Sequence, residues 1–285
     1  MTHPPVAPVM VHKWRTQLAA AEHDLLAVEE PLEIRLICTE GEQQREQKLV
    51  VSMRTPGHDE ELALGFLLTE GIIQSVEEVV GMRHCQQVES PEARGNVLKV
   101  YLRAGISPDW QALSRNFFMY SSCGVCGKQS IESVMQKACA PLSAGRPQVP
   151  LELIQELPEK LLRSQRIFSH TGGLHAAALF SAGGELLLLR EDIGRHNALD
   201  KLIGAGCARA GLAMHSCLLF LSGRLGFELV QKARMAGIAL VAAVGAPTSL
   251  AVRLARESGM TLIGFVRPGR CNVYTGIERL IQTPS

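Results

Sequence analysis

Two cysteines, Cys123 and Cys126 in the stretch SSCGVCGK, are the residues of this chain best placed to do chemistry. A Cys-x-x-Cys pair can supply half of a zinc site, cycle as a redox disulfide, or carry a sulfur atom. Serines and glycines around the pair read as a loop, and the run GKQSIESVMQKA after it reads as a helix. Thiols near a helix start and near Lys128 have lowered pKa values and make good nucleophiles. Gly124 and Gly127 let such a loop present a sulfur to a partner. On the motif alone, all three chemistries stay open.

The surrounding sequence narrows them. Structural zinc needs about four ligands, and the chain has no second Cys-x-x-Cys. Zinc deaminases join a His-x-Glu to a later Cys-x-x-Cys. Here His84 is followed by Cys-Gln and His175 by Ala-Ala, so the general acid/base of a deaminase is missing. A phosphate loop also fails, because Ser122 stands where its first glycine belongs and Gln129 replaces the Ser or Thr. No G-x-S-x-G elbow occurs, GAGCARAG does not meet the dinucleotide fingerprint, and no βαβ thioredoxin pattern surrounds the cysteines.

Three further stretches carry polar residues where strands end: LSGRLGFE and VGAPTSLA on the way to helices, and the strand exit FVRPGRCNVY. Such loops gather at the carboxyl ends of parallel strands, where α/β domains bind ligands. Backbone N–H groups there, with Arg224, Arg267 and Arg270, suit phosphates or a pyrophosphate. A second concentration, HTGGLHAAALF and REDIGRHNALDK, holds His170, His175, Glu191, Asp192, Arg195, His196, Asn197, Asp200 and Lys201. Asp192 suits a helix cap and Asn197 a turn, but so dense a cluster points to a site.

The elements that must position these groups follow from pattern. LEIRLICTE, QKLVVSMR, VVGMRHCQQVES and NVLKVYLR read as strands, and HDEELALGFLLTEG as a helix, which gives an α+β unit over residues 31–140. PLSAGRPQVP, residues 141–150, is the connector, and the helix LELIQELPEKLLRSQ follows it, limited in its N-terminal half by Pro158. Over residues 151–285, apolar β-rich runs alternate with amphipathic helices, which predicts a three-layer α/β domain with parallel strands. Residues 1–30 read as a mobile tail without the features of a secretory signal. A formal charge of +1 gives no support to nucleic-acid or membrane-surface binding, and glycines and Pro247 break the longest uncharged run below a membrane span. The remaining cysteines sit singly in apolar surroundings, as expected of core thiols in a reducing cytoplasm.

TGGLHAAAL, EDIGRHNALDKLIG, SGR with FELVQKA, GAPTSLAV and GFVRPGRCNVY together resemble the FdhD family of formate dehydrogenase accessory sulfurtransferases. The resemblance runs from the Cys-x-x-Cys loop nearly to the C-terminus. It implies a cytidine-deaminase-like three-layer α/β/α core without zinc, and a cytoplasmic homodimer. It implies a sulfur carrier that takes persulfide sulfur from a cysteine desulfurase and passes it to the molybdenum bis(molybdopterin guanine dinucleotide) cofactor, which guanine nucleotide mimics, before that cofactor enters the formate dehydrogenase apoprotein. By matching motif positions, Cys123 would bear the persulfide with Cys126 as its partner. Phe265, Val266, Arg267, Pro268, Gly269 and Arg270 would form the cofactor-binding segment, with Ser222, Gly223 and Arg224 at a second phosphate. The alternative is a non-catalytic chaperone for the same cofactor, in which the thiols only shape the loop.

Overall fold

The first strands come from a stretch whose prolines make it read as a tail. The computed structural model describes residues 3–14, 18–41, 43–88, 90–110, 142 and 145–282. In it β1 (Val6–Trp14) and β2 (Leu18–Ala27) pair antiparallel, with Val9 opposite Asp24 and Val11 opposite Glu22. The expectation of a mobile tail over residues 1–30 is therefore corrected to a two-stranded ribbon. Pro8 is tolerated because a two-stranded ribbon is all edge, where a missing N–H breaks no second ladder.

β3 (Glu30–Glu40) turns back into β4 (Gln43–Arg54), and its alternating Leu32, Ile34, Leu36 and Cys38 are all buried. Helix α1 (Asp59–Thr69), β5 (Val79–His84) and β6 (Val97–Leu102) complete this unit. The sheet order is β4-β3-β6-β5, with β3 and β6 parallel. Leu62, Phe66 and Leu67 of α1 close its apolar face.

The second half opens with β7 (Val149–Pro150), α2 (Leu151–Ser164) and the one-turn α3 (Phe168–Thr171). It continues through β8 (His175–Phe180), β9 (Leu186–Asp192), α4 (Arg195–Ala208), β10 (Leu218–Leu221), α5 (Phe227–Met235), β11 (Leu240–Ala243), α6 (Ser249–Glu257), β12 (Thr261–Arg267), β13 (Arg270–Thr275) and β14 (Leu280–Ile281). One sheet of order β13-β12-β11-β10-β8-β9 forms its centre. Only β10, β11 and β12 run parallel to one another; β8, β9 and β13 are added antiparallel. Ala177, Leu219, Val241 and Leu262 meet α4, α5 and α6 on one face. Ala178, Phe220, Leu240 and Ile263 meet Ile154, Leu157 and Leu161 of α2 on the other. Pro158 does not limit α2, because the burial of those three residues outweighs the backbone bond that proline removes. The connector also ends as structure: Val149 and Pro150 pair with Leu280 and Ile281.

Helix α1 lies between the two sheets and crosses α4 at very short range. A Cβ on Gly65 would stand 1.9 Å from the Asp200 carbonyl oxygen, and one on Gly204 2.0 Å from that of Glu61. Only glycine permits this approach. Arg190 of β9 then grips the Glu61 carboxylate, with Nη2 at 2.7 Å. Burial alone would raise the Glu61 pKa, but the Arg190 and His58 partners overcome that and hold it at about 2, against an ordinary 4.5.

Gly65→Ala and Gly204→Ala are each expected to destabilise the protein by about 3 kcal/mol in urea unfolding, since a backbone carbonyl cannot move aside cheaply. Gly81→Ala, which meets nothing within 4 Å, is the control and should shift stability by less than about 0.5 kcal/mol. The lowered Glu61 pKa means that its contribution is complete above the unfolded value of 4.5 and disappears as pH falls toward 2. Glu61→Gln should therefore flatten the dependence of unfolding free energy on pH across that window, by up to about 3 kcal/mol in total.

Candidate functional site: three stitched loops beside His175

The carboxyl ends of β10, β11 and β12 each deliver a loop to the same place, and backbone hydrogen bonds join them. Gly245 N–H donates to the Gly223 carbonyl (3.1 Å), Leu225 N–H to Ala246 (2.9 Å), and Phe265 N–H to Gly245 (3.1 Å). Gly245 is the meeting point. A Cβ there would lie 2.6 Å from the Gly223 oxygen, so the loops can close on one another only around a glycine. Ser222 is tied to β8 in both directions: its N–H donates to the Ala176 carbonyl (3.0 Å), and its hydroxyl accepts from Ala176 N–H (2.8 Å).

The segment Phe265 to Arg270 was expected to leave the sheet as a strand exit. It is instead a hairpin tip, in which β12 ends at Arg267, Pro268 and Gly269 turn the chain, and β13 starts at Arg270. Arg267 and Arg270 are cross-strand partners, both exposed. Like charges facing one another across a ribbon repel unless an anion lies between them. Arg267 is held over the neighbouring loop by donating from Nη1 to the Val244 carbonyl at 2.9 Å. Phe265 sits where the β12–β13 register slips, with φ of 53°, a left-handed backbone that costs an aromatic residue energy. Phe265 is 46% exposed. Val266, the next residue, is buried and anchors the tip in the core. Ser222, Gly223 and Arg224 are thus brought next to the hairpin loop through Gly245, as the sequence pattern expects. Cys123 and Cys126 lie outside the described residues.

His175 borders this platform, for a Cβ on Gly223 would be 3.3 Å from its Nδ1. Burial lowers the His175 pKa, and the nearby positive charges of Arg195, His196 and Arg224 lower it further. The imidazole is therefore held neutral in a cationic neighbourhood.

The rest of the polar cluster divides by role. Glu191 accepts from the Ile167 (3.1 Å) and Phe168 (2.9 Å) N–H groups at the start of α3. Asp192 accepts from Gly194 N–H (2.9 Å) ahead of α4 and forms a wholly buried ion pair with Lys201 (2.6 Å). Asn197 does not serve a turn; its Nδ2 reaches across to the Met53 carbonyl of β4 at 2.7 Å. Asp200 pairs with the buried Lys232 at 2.9 Å, and His196 with Glu228 at 2.9 Å. His170 is an exposed residue whose ring nitrogen meets the Arg166 carbonyl. Sequence reasoning missed Gly245, whose only sequence signal is the strand-end position in VGAPTS, and it missed Lys232, which sits in an ordinary amphipathic pattern.

Comparison with known proteins agrees with this architecture. The FdhD/NarQ family model matches residues 27–281. The sulfur carrier protein FdhD of Mycolicibacterium paratuberculosis is 47% identical over 263 residues, covering 92% of this chain and 94% of that protein. That of Anaeromyxobacter dehalogenans is 49% identical over 269 residues, covering 91% and 90%. The crystal structure of a formate dehydrogenase accessory protein from Desulfotalea psychrophila superposes with a TM-score of 0.72 at 26% identity, covering 98% of this chain and all of that one. With three stitched loops, an arginine hairpin and relatives matched over almost their full length, the chain belongs to the FdhD/NarQ family.

Proposed function

We propose that this protein is a sulfur carrier serving formate dehydrogenase, with Cys123 as the acceptor of persulfide sulfur. The observation that carries the reading is the near-complete match to proteins named sulfur carriers, at 47% identity. In the proposed step the Cys123 thiolate attacks the outer sulfur of a cysteine desulfurase persulfide. The donor S–S bond breaks, the desulfurase thiolate leaves, and Cys123 becomes the persulfide. Cys126 either closes a disulfide with Cys123, releasing the outer sulfur to the acceptor, or takes the sulfur over as a relay.

The acceptor in this proposal is molybdenum bis(molybdopterin guanine dinucleotide), bound as substrate. The facing pair Arg267 and Arg270, which has no ion pair among the described residues, supports a polyphosphate-bearing ligand, with Arg224 on the adjoining loop. Phe265, in the same segment, is exposed and open to a ligand. Helices against both faces of the second sheet support a cytidine-deaminase-like core. A cytoplasmic location and a homodimer belong to the same proposal. Among the described residues, no helix is long and apolar enough to cross a membrane.

Intact-protein mass spectrometry after incubation with a cysteine desulfurase and cysteine tests the carrier role. Sulfur adducts of the wild type should vanish in Cys123→Ala, and that variant should fail to activate formate dehydrogenase. Full activation by Cys123→Ala would instead favour a cofactor chaperone whose thiols are dispensable. For the acceptor, the Arg267→Ala, Arg270→Ala double variant should bind GDP at least about tenfold more weakly in calorimetry, while keeping the wild-type sulfur adduct.

A further inference from the structure

Between β4 and the first turns of α4 and α5 lies a cavity of about 360 Å³, a size that suits a small molecule. One wall is apolar, formed by Ile34, Val50, Leu62 and Phe66. The floor is closed to ligands by its own bonding, because Lys232 donates to Thr69 (2.9 Å) and to both oxygens of Asp200. The remaining wall differs. Arg195 lines it, and its guanidinium has neither an ion pair nor a hydrogen bond among the described residues; its Nε is buried without a partner. Glu228 lines it too. One of its oxygens is held by His196 at 2.9 Å, while Oε1 is buried and unpartnered.

An unpaired cation and an unsatisfied carboxylate oxygen in one cavity are each costly, because a buried polar group left without its bond has lost its water and gained nothing in return. A ligand that relieves both must bring an anionic group for Arg195 and an N–H donor for Glu228, and must fill the apolar side. We propose that this cavity binds a free α-amino acid with a large apolar side chain. The carboxylate lies on Arg195, the ammonium group on Glu228 Oε1, and the side chain against Leu62 and Phe66. The cavity shares His175 with the loop platform, but neither Arg267 nor Arg270 lines it, and the proposal does not rest on the sulfur-carrier reading.

Calorimetric titration of the full chain with L-phenylalanine, L-methionine and L-leucine tests this. At least one should bind saturably, with affinity falling roughly tenfold or more in Arg195→Ala and in Glu228→Gln, and less in Arg195→Lys. 3-Phenylpropanoate, which lacks the ammonium group, should bind the wild type roughly tenfold more weakly than L-phenylalanine and should lose little further in Glu228→Gln. This analogue reads the Glu228 contact in unmutated protein should a variant prove unstable in thermal unfolding. No saturable binding of the three amino acids at millimolar concentration overturns the proposal, as does binding that both variants leave unchanged. GDP binding that Arg195→Ala abolishes, with no amino acid bound, also overturns it and makes the cavity part of the nucleotide site.

Discussion

The carboxylate of Asp192 is the point on which the two halves of the molecule depend. It is fully buried and accepts four hydrogen bonds: from Thr55 N–H (3.1 Å), Lys201 Nζ (2.6 Å), Gly194 N–H (2.9 Å) and Asn197 Nδ2 (3.2 Å). Lys201 also donates to the Thr55 carbonyl at 2.7 Å, and Ile193 N–H to the Thr55 hydroxyl at 3.1 Å. Burying an ion pair is expensive unless every lone pair and proton finds a partner. Here each partner that completes the bonding is drawn either from the segment after β4 or from the start of α4. The N-terminal unit is thereby locked in register with the α/β domain, and through the β8–β9 ladder, where Asp192 faces His175, the same lock fixes one border of the loop platform.

That dependence explains how the platform is built. A platform of three loops must keep fixed spacing without regular structure between them. Three features achieve it: the parallel run β10 to β12, whose strands end at one level; Gly245, which lets the loops touch; and the two hydrogen bonds between Ser222 and Ala176, which tie them to β8. Arg267 extends from a strand end fixed in this way, and its guanidinium is further held by the Val244 and Val266 carbonyls.

Much of this was legible in the sequence, for identifiable reasons. Strand-helix alternation from Cys217 to Val266 is a local signal, and parallel strands that follow from it bring the loops after them to one end of the sheet. The N-terminal ribbon was hidden because Pro5 and Pro8 suggest irregular chain, and a hairpin strand tolerates them only in a pairing that sequence does not reveal. Pro158 misled in the same way, since burial against the sheet decided the helix. The roles of Asp192, Asn197 and Asp200 depend on partners more than 100 residues away, such as Thr55, Met53 and Thr69, so density of polar residues announced a cluster without its wiring.

The pairing of β7 with β14 sets an order of assembly. Val149 and Pro150 find Leu280 and Ile281 only after every strand of the central sheet has been made, and Arg279 adds a bond from its buried guanidinium to the Arg146 carbonyl at 2.8 Å. On a ribosome the N-terminal unit and the sheet can take shape as they emerge, whereas the connector between them must wait for residues 279–281. Until then Val149 and Pro150 lack their strand partners and the Arg146 carbonyl lacks its guanidinium donor, although the Asp192 lock already holds the two halves together.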